Sequence, residues 1–74
     1  MTGSLPRIEY DPEADAAYIY LKQEILSGGV ARTICVDPLE IRGMVNLDLD
    51  DDGVIIGIEV MDASRKLAPE VLPH

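Results

Sequence analysis

The dipeptide Asp52-Gly53 constrains this chain most, because it joins two alternating runs over residues 44–62. Asp-Gly between alternating apolar runs signals a β-hairpin, since a type I′ turn needs positive φ at both central residues and Asp and Gly tolerate it. With Asp52-Gly53 as the loop, Asp51 faces Val54, and counting outward pairs Leu49 with Ile56, Leu47 with Ile58 and Val45 with Val60. Those apolar residues share one face, and Asn46, Asp48, Asp50, Ile55, Gly57 and Glu59 share the other. A slip of one residue would set Glu59 against Val45 and turn one strand's apolar set toward water, so the pattern specifies the register. A four-residue loop over 51–54 keeps the same pairs.

The same stretch satisfies D-x-[DN]-x-[DN]-G-x5-E through Asp48, Asp50, Asp52, Gly53 and Glu59, the spacing of a calcium loop. A hard cation wants several carboxylate oxygens around a sharp turn. An EF-hand loop, however, lies between two helices, and both flanks here alternate with period two. Aspartates also gather in tight turns because they tolerate left-handed backbone and bond their own amides. The turn reading therefore outweighs the ion reading. Divalent-metal or small-ligand binding through the Asp48/Asp50/Glu59 face stands as the alternative function.

The rest of the chain reads as more sheet. Residues 7–10 alternate, with Ile8 and Tyr10 on one face. In the following segment Pro12 pre-sets φ and Asp11 can accept a downstream amide, which makes a turn. Residues 16–22 resume alternation, and a loop over 12–15 sets Tyr10 against Ala17 and Ile8 against Ile19. Ser27-Gly28-Gly29 marks a loop. Residues 30–36 form a third strand with Val30, Ile34 and Val36 on one side. Arg32 shares that side, which suits an edge position or an acidic partner. Asp37-Pro38 ends this strand, because Pro cannot donate to a ladder. Residues 39–43 link into the central hairpin. Residues 62–68 have helix character: Asp62 or Ser64 can cap the start, Arg65 and Lys66 favour the C-terminal end of the dipole, and Pro69 stops it. The expected fold is α+β, mostly β. It is a small antiparallel meander sheet of four or five strands with one short C-terminal helix, spanning residues 7–72 as a single domain after a flexible tail over 1–6.

Two segments, IEYDPEADAAYIYL and VNLDLDDDGVIIGIEVMDAS, resemble a family of short prokaryotic proteins known as domain of unknown function 2283. The family pattern Y-D-x-x-A-D-x-x-Y-I falls on Tyr10, Asp11, Ala14, Asp15, Tyr18 and Ile19. The pattern D-x-D-x-x-G-x-x-x-G-I-E-x-x-D-A-S falls on Asp48, Asp50, Gly53, Gly57, Ile58, Glu59, Asp62, Ala63 and Ser64. The resemblance runs from about Ile8 to Leu67, with residues 39–43 longer than the usual connection. It implies no established activity or catalytic residue. Some similar proteins are encoded beside toxin-like partners, which makes an antitoxin-like role conceivable.

Charge and side-chain type narrow the function classes. Six basic and fourteen acidic residues give −8, against direct nucleic-acid binding, which needs Lys and Arg clusters to neutralise phosphate, and against anionic membranes. A basic protein partner is compatible, although net charge also simply keeps a small protein soluble. With no Trp or Phe, the core is built from aliphatic side chains. A chain of this length buries only about 60% of its unfolded surface, so a homodimer is expected. Asp11, Asp15, Tyr18, Tyr20, Glu59 and Asp62 form the candidate polar cluster or partner surface. Turn and cap roles account for Asp11, Asp52 and Asp62. Glu59 stands out mid-strand beside Gly57, where a glycine marks close backbone approach. Its expected partners are the 11–15 loop or Tyr18. Tyr18 and Tyr20 share the outer face of their strand and suit a partner surface or a cover for aliphatic neighbours. Cys35 has no His near it in sequence, Ser64 lacks a nucleophile elbow, and His74 is terminal. Use of the carboxylates for acid-base catalysis is the least supported reading. The expectation is a cytoplasmic, non-enzymatic, dimerising protein-interaction module without a cofactor.

Overall fold

In the computed structural model, which describes residues 4–73, the chain forms one five-stranded antiparallel sheet. The strands are β1 (Arg7–Asp11), β2 (Ala16–Tyr20), β3 (Arg32–Cys35), β4 (Val45–Leu49) and β5 (Ile55–Met61). Two short helices follow β3 and β5: α1 (Pro38–Ile41) and α2 (Ala63–Lys66), with a 3₁₀ turn over Pro69–Val71. The first three residues of the expected tail, and His74, lie outside the described residues. Among the described residues, no helix is long and apolar enough to cross a membrane.

The spatial order is β1-β2-β5-β4-β3. A meander of β3, β4 and β5 is thus joined to the β1–β2 hairpin by pairing of β2 with β5, the path of a Greek key. The expected mostly sequential sheet is present, and the β2–β5 contact is the long-range addition that local pattern does not encode.

The β1–β2 register agrees with the sequence expectation: Tyr10 pairs with Ala17 and Ile8 with Ile19. Asp11 extends β1 by one residue and still makes its turn, accepting the amides of Glu13 at 3.0 Å and Ala14 at 3.4 Å. In the β4–β5 hairpin Val45 pairs with Val60 and Leu47 with Ile58, as expected. The turn differs. Asp52 is not among the residues with positive φ; Gly53 is, at +79°. The Asp50 carbonyl accepts from Gly53 at 3.0 Å, and the Asp50 amide donates to Val54 at 3.0 Å. This is a three-residue loop with Gly at the left-handed position. It places Leu49 opposite Ile55 rather than Ile56, and a bulge next to Ile56 restores the original register from Asp48–Gly57 onward. The arrangement lets the Asp50 carboxylate reach two amides ahead of it. The third strand is also shorter than expected: it holds Arg32–Cys35 and not Val30. As an edge strand it leaves Arg32 exposed, in line with the edge position expected for that residue.

Alternation sorts the side chains into two faces. Tyr10, Ala17, Val60 and Val45 lie across one another, and beside them Ile8, Ile19, Ile58, Leu47 and Ile34 form a second apolar row over all five strands. Helix α2 packs at the first row, where Ala17, Val60 and Ala63 form the buried cluster. Among the described residues only Ala17, Ile56, Val60 and Ala63 are fully buried apolar side chains. Burial of an Ile or Val contributes about 2 kcal/mol and an Ala about 1, so this core is thin.

Candidate functional site

The opposite face of the sheet is polar and hydrogen-bonded across strands. One row reads Arg7, Tyr20, Gly57, Asp48 and Thr33 from β1 to β3; the next reads Glu9, Tyr18, Glu59, Asn46 and Cys35. Tyr18 leans over Gly57: a Cβ built there would fall within 2.7 Å of Tyr18 Cε2 and closer still to its hydroxyl. The missing side chain lets the phenol cross β5 and donate to Asp48 Oδ2 at 2.6 Å. The Thr33 hydroxyl donates to Asp48 Oδ1 at 2.6 Å, which ties β3 to the same carboxylate. Bonds this short are those of hydroxyls to an ionised acceptor. Burial, then the bond to Asp48, pushes the Tyr18 hydroxyl well above the ordinary tyrosine range.

Glu59 takes the amide of Asn46, its neighbour on β4, at 3.0 Å; Tyr18 lies directly across from it on β2 but gives its hydroxyl to Asp48. Tyr20 stacks edge-on to Tyr18 with centroids 4.8 Å apart. Its hydroxyl donates to Glu9 at 3.1 Å, and the Arg7 guanidinium lies 3.9 Å from its ring centre while pairing with Glu9 at 2.8 Å. Burial and the Glu9 bond also raise the Tyr20 hydroxyl. An open hollow of about 290 Å³ runs beside Tyr18 between Glu9 and Glu59.

A second constellation holds α2. Asp15 has φ +51° and Asp62 has φ +53°, a left-handed backbone that Asp adopts more readily than most residues. The Asp15 carboxylate accepts the Ser64 amide at 3.0 Å and the Ser64 hydroxyl at 2.7 Å, while its carbonyl accepts the Ala63 amide at 2.9 Å. The Tyr10 hydroxyl adds a bond at 2.8 Å. The bonds from Ser64 and Tyr10 hold the Asp15 carboxyl below its ordinary range, and the same contact raises the Tyr10 hydroxyl. The cap of α2 is therefore Asp15, from 49 residues away. The Asp62 side chain makes no cap bond and, among the described residues, pairs with Arg65 at 3.4 Å.

The calcium-pattern residues are dispersed among these roles. The Asp50 carboxylate accepts the amides of Asp52 at 2.9 Å and Val54 at 3.0 Å. Asp48 is held by two hydroxyls and Glu59 by Asn46. Among the described residues no three His, Cys, Asp or Glu side chains are grouped so as to hold a metal ion. Asp48 and Glu59 do share a face, as expected, and Tyr18 and Tyr20 share it with them. Asp11 sits in its turn, apart from the Asp15–Ser64 contact. Sequence reasoning missed Thr33 and Asn46. Both follow from the pairing: Thr33 lies directly across from Asp48, and Asn46 from Glu59.

Residues 7–64 match the model of a family described as a protein of unknown function (DUF2283). No curated protein and no solved structure matches the chain.

Proposed function

The chain belongs to the DUF2283 family, whose description carries no activity, and we propose that it is a non-enzymatic protein-interaction module that works as a homodimer. The observation that carries this reading is the state of the β3 side of the domain. Every residue of β3 is exposed, and α1 buries none of its residues. Ile34, Leu39 and Ile41 are 38%, 87% and 37% exposed. A domain with four buried apolar residues among those described gains stability by covering such a side. The polar face supports interaction over chemistry: its carboxylates are tied into cross-strand bonds that brace the sheet, not aimed at a shared point.

The partner class, besides a second copy, is a basic protein. Glu9, Asp48 and Glu59 all lie on the polar face of a chain with a net charge of −8, and such a field steers cationic partners. An antitoxin-like role is one form that this binding takes. Size-exclusion chromatography with light scattering, at micromolar concentration, gives the mass of a dimer. A monomer there overturns the dimeric reading. Capture from native extract that returns only the chain itself removes the partner.

A further inference from the structure

The two edges of the sheet are unequal. The β1 edge carries Arg7, Glu9 and Asp11 and runs into Pro12; charges and Pro are how natural edges resist pairing. The β3 edge carries one charge, Arg32, and meets no Pro until Pro38. Val36 donates its amide to Val45 at 2.8 Å. Antiparallel ladders alternate between residues that bond inward and residues that bond outward. The amides and carbonyls of Thr33 and Cys35 therefore face away from β4, outward from the edge of the sheet.

We infer that a second copy of the chain pairs with this edge, β3 against β3, antiparallel about a two-fold axis at Ile34. The inference rests on the dimeric reading above and supplies its contact. Thr33 of each copy then lies opposite Cys35 of the other, and the two exchange both main-chain bonds. The apolar row that ends at Ile34 continues across the axis into its own mate. Charge favours this direction. The only charge on the strand is Arg32 at its start; about the Ile34 axis each Arg32 lies opposite Val36 of the other copy and the two guanidinium groups stand at opposite ends of the pair, while parallel copies in register would set Arg32 against Arg32.

The test uses the full chain. In the proposed register Ile34 faces its own mate in a non-hydrogen-bonded pair, where Cα atoms stand about 4.5 Å apart, within disulfide reach. Ile34→Cys combined with Cys35→Ser gives a covalent dimer under mild oxidation. Wild-type Cys35 does not, because its mate is a diagonal neighbour about 7–8 Å away. Separately, Cys35→Pro removes an outward amide and leaves the β4 ladder alone, so the dimer dissociation constant rises at least about tenfold with unchanged circular dichroism. A wild-type dimer that resists Cys35→Pro and does not cross-link through position 34 overturns the edge contact but leaves the dimer standing. Cross-linking through Cys35 alone overturns the register. A wild-type monomer overturns both. If Cys35→Pro fails to fold, the cross-link at position 34 decides.

Discussion

Replacing Gly57 by Ala tests how the polar face is built. The new methyl would occupy the space of the Tyr18 phenol, with Cε2 at 2.7 Å and the hydroxyl closer. The ring is the far end of a side chain and can swing off, so the cost is that of the contacts it abandons. A hydroxyl bond to a charged acceptor is worth about 1.5–3 kcal/mol, and the edge-on contact with Tyr20 adds about 0.5–1.5. Ala in place of Gly in a strand returns about 0.5–1 kcal/mol. The net is a loss of about 2 kcal/mol, which for a domain of this size lowers Tm by about 8–16 °C. Calorimetry of Gly57→Ala reads this directly. The decisive comparison is the same substitution in a Tyr18→Ala background. With the ring gone, the three atoms nearest the added methyl are gone too, and the change becomes neutral or slightly stabilising. Equal destabilisation in both backgrounds, or none in the wild type, would refute the claim that Gly57 exists to let Tyr18 reach Asp48.

Three further outcomes follow from the bonds described above. Asp15→Asn loosens α2 in a pH-dependent way: because the folded carboxyl titrates below its unfolded value of about 3.9, the wild-type advantage holds above that pH and disappears as pH falls through the folded value, which paired melts from pH 6 downward will show. Tyr18 is the last tyrosine to ionise, well above the ordinary value of about 10, so stability declines once pH passes that point, and the latest step of an ultraviolet titration vanishes in Tyr18→Phe. Asp50→Ala deprives two turn amides of their acceptor and lowers stability by about 1–2 kcal/mol, by the same amount in calcium or in chelator; protection by calcium in the wild type alone would restore the ion reading.

Register and faces were legible because alternation is a two-residue code that tolerates local error. The expected type I′ turn was wrong, yet the bulge beside Ile56 absorbed the discrepancy, and Leu47–Ile58 and Val45–Val60 paired as counted. The turn type was not legible because Asp-Gly suits either loop, and the choice lies with Asp50, whose carboxylate gains two amides in the longer one. Gly57 was readable as a point of close approach, but not what approaches. Tyr18 comes from β2, and nothing local places β2 beside β5. The same limit hid the cap of α2. Local capping preference points at Asp62; the fold spends that residue on a left-handed backbone and brings Asp15 in from the first hairpin. The two family motifs thus meet in space along the pairing of β2 with β5, where Tyr18 crosses Gly57 to Asp48, and at α2, where Asp15 holds Ala63 and Ser64, and these contacts hold elements together.

Native mass spectrometry of the untagged chain, with and without calcium, tests the proposed dimer and the structural use of the aspartates in one experiment. The expected result is a dimer whose mass is the same in the two conditions. A monomer, or a stoichiometric calcium adduct that is lost in an Asp50→Asn and Glu59→Gln double variant, would contradict it.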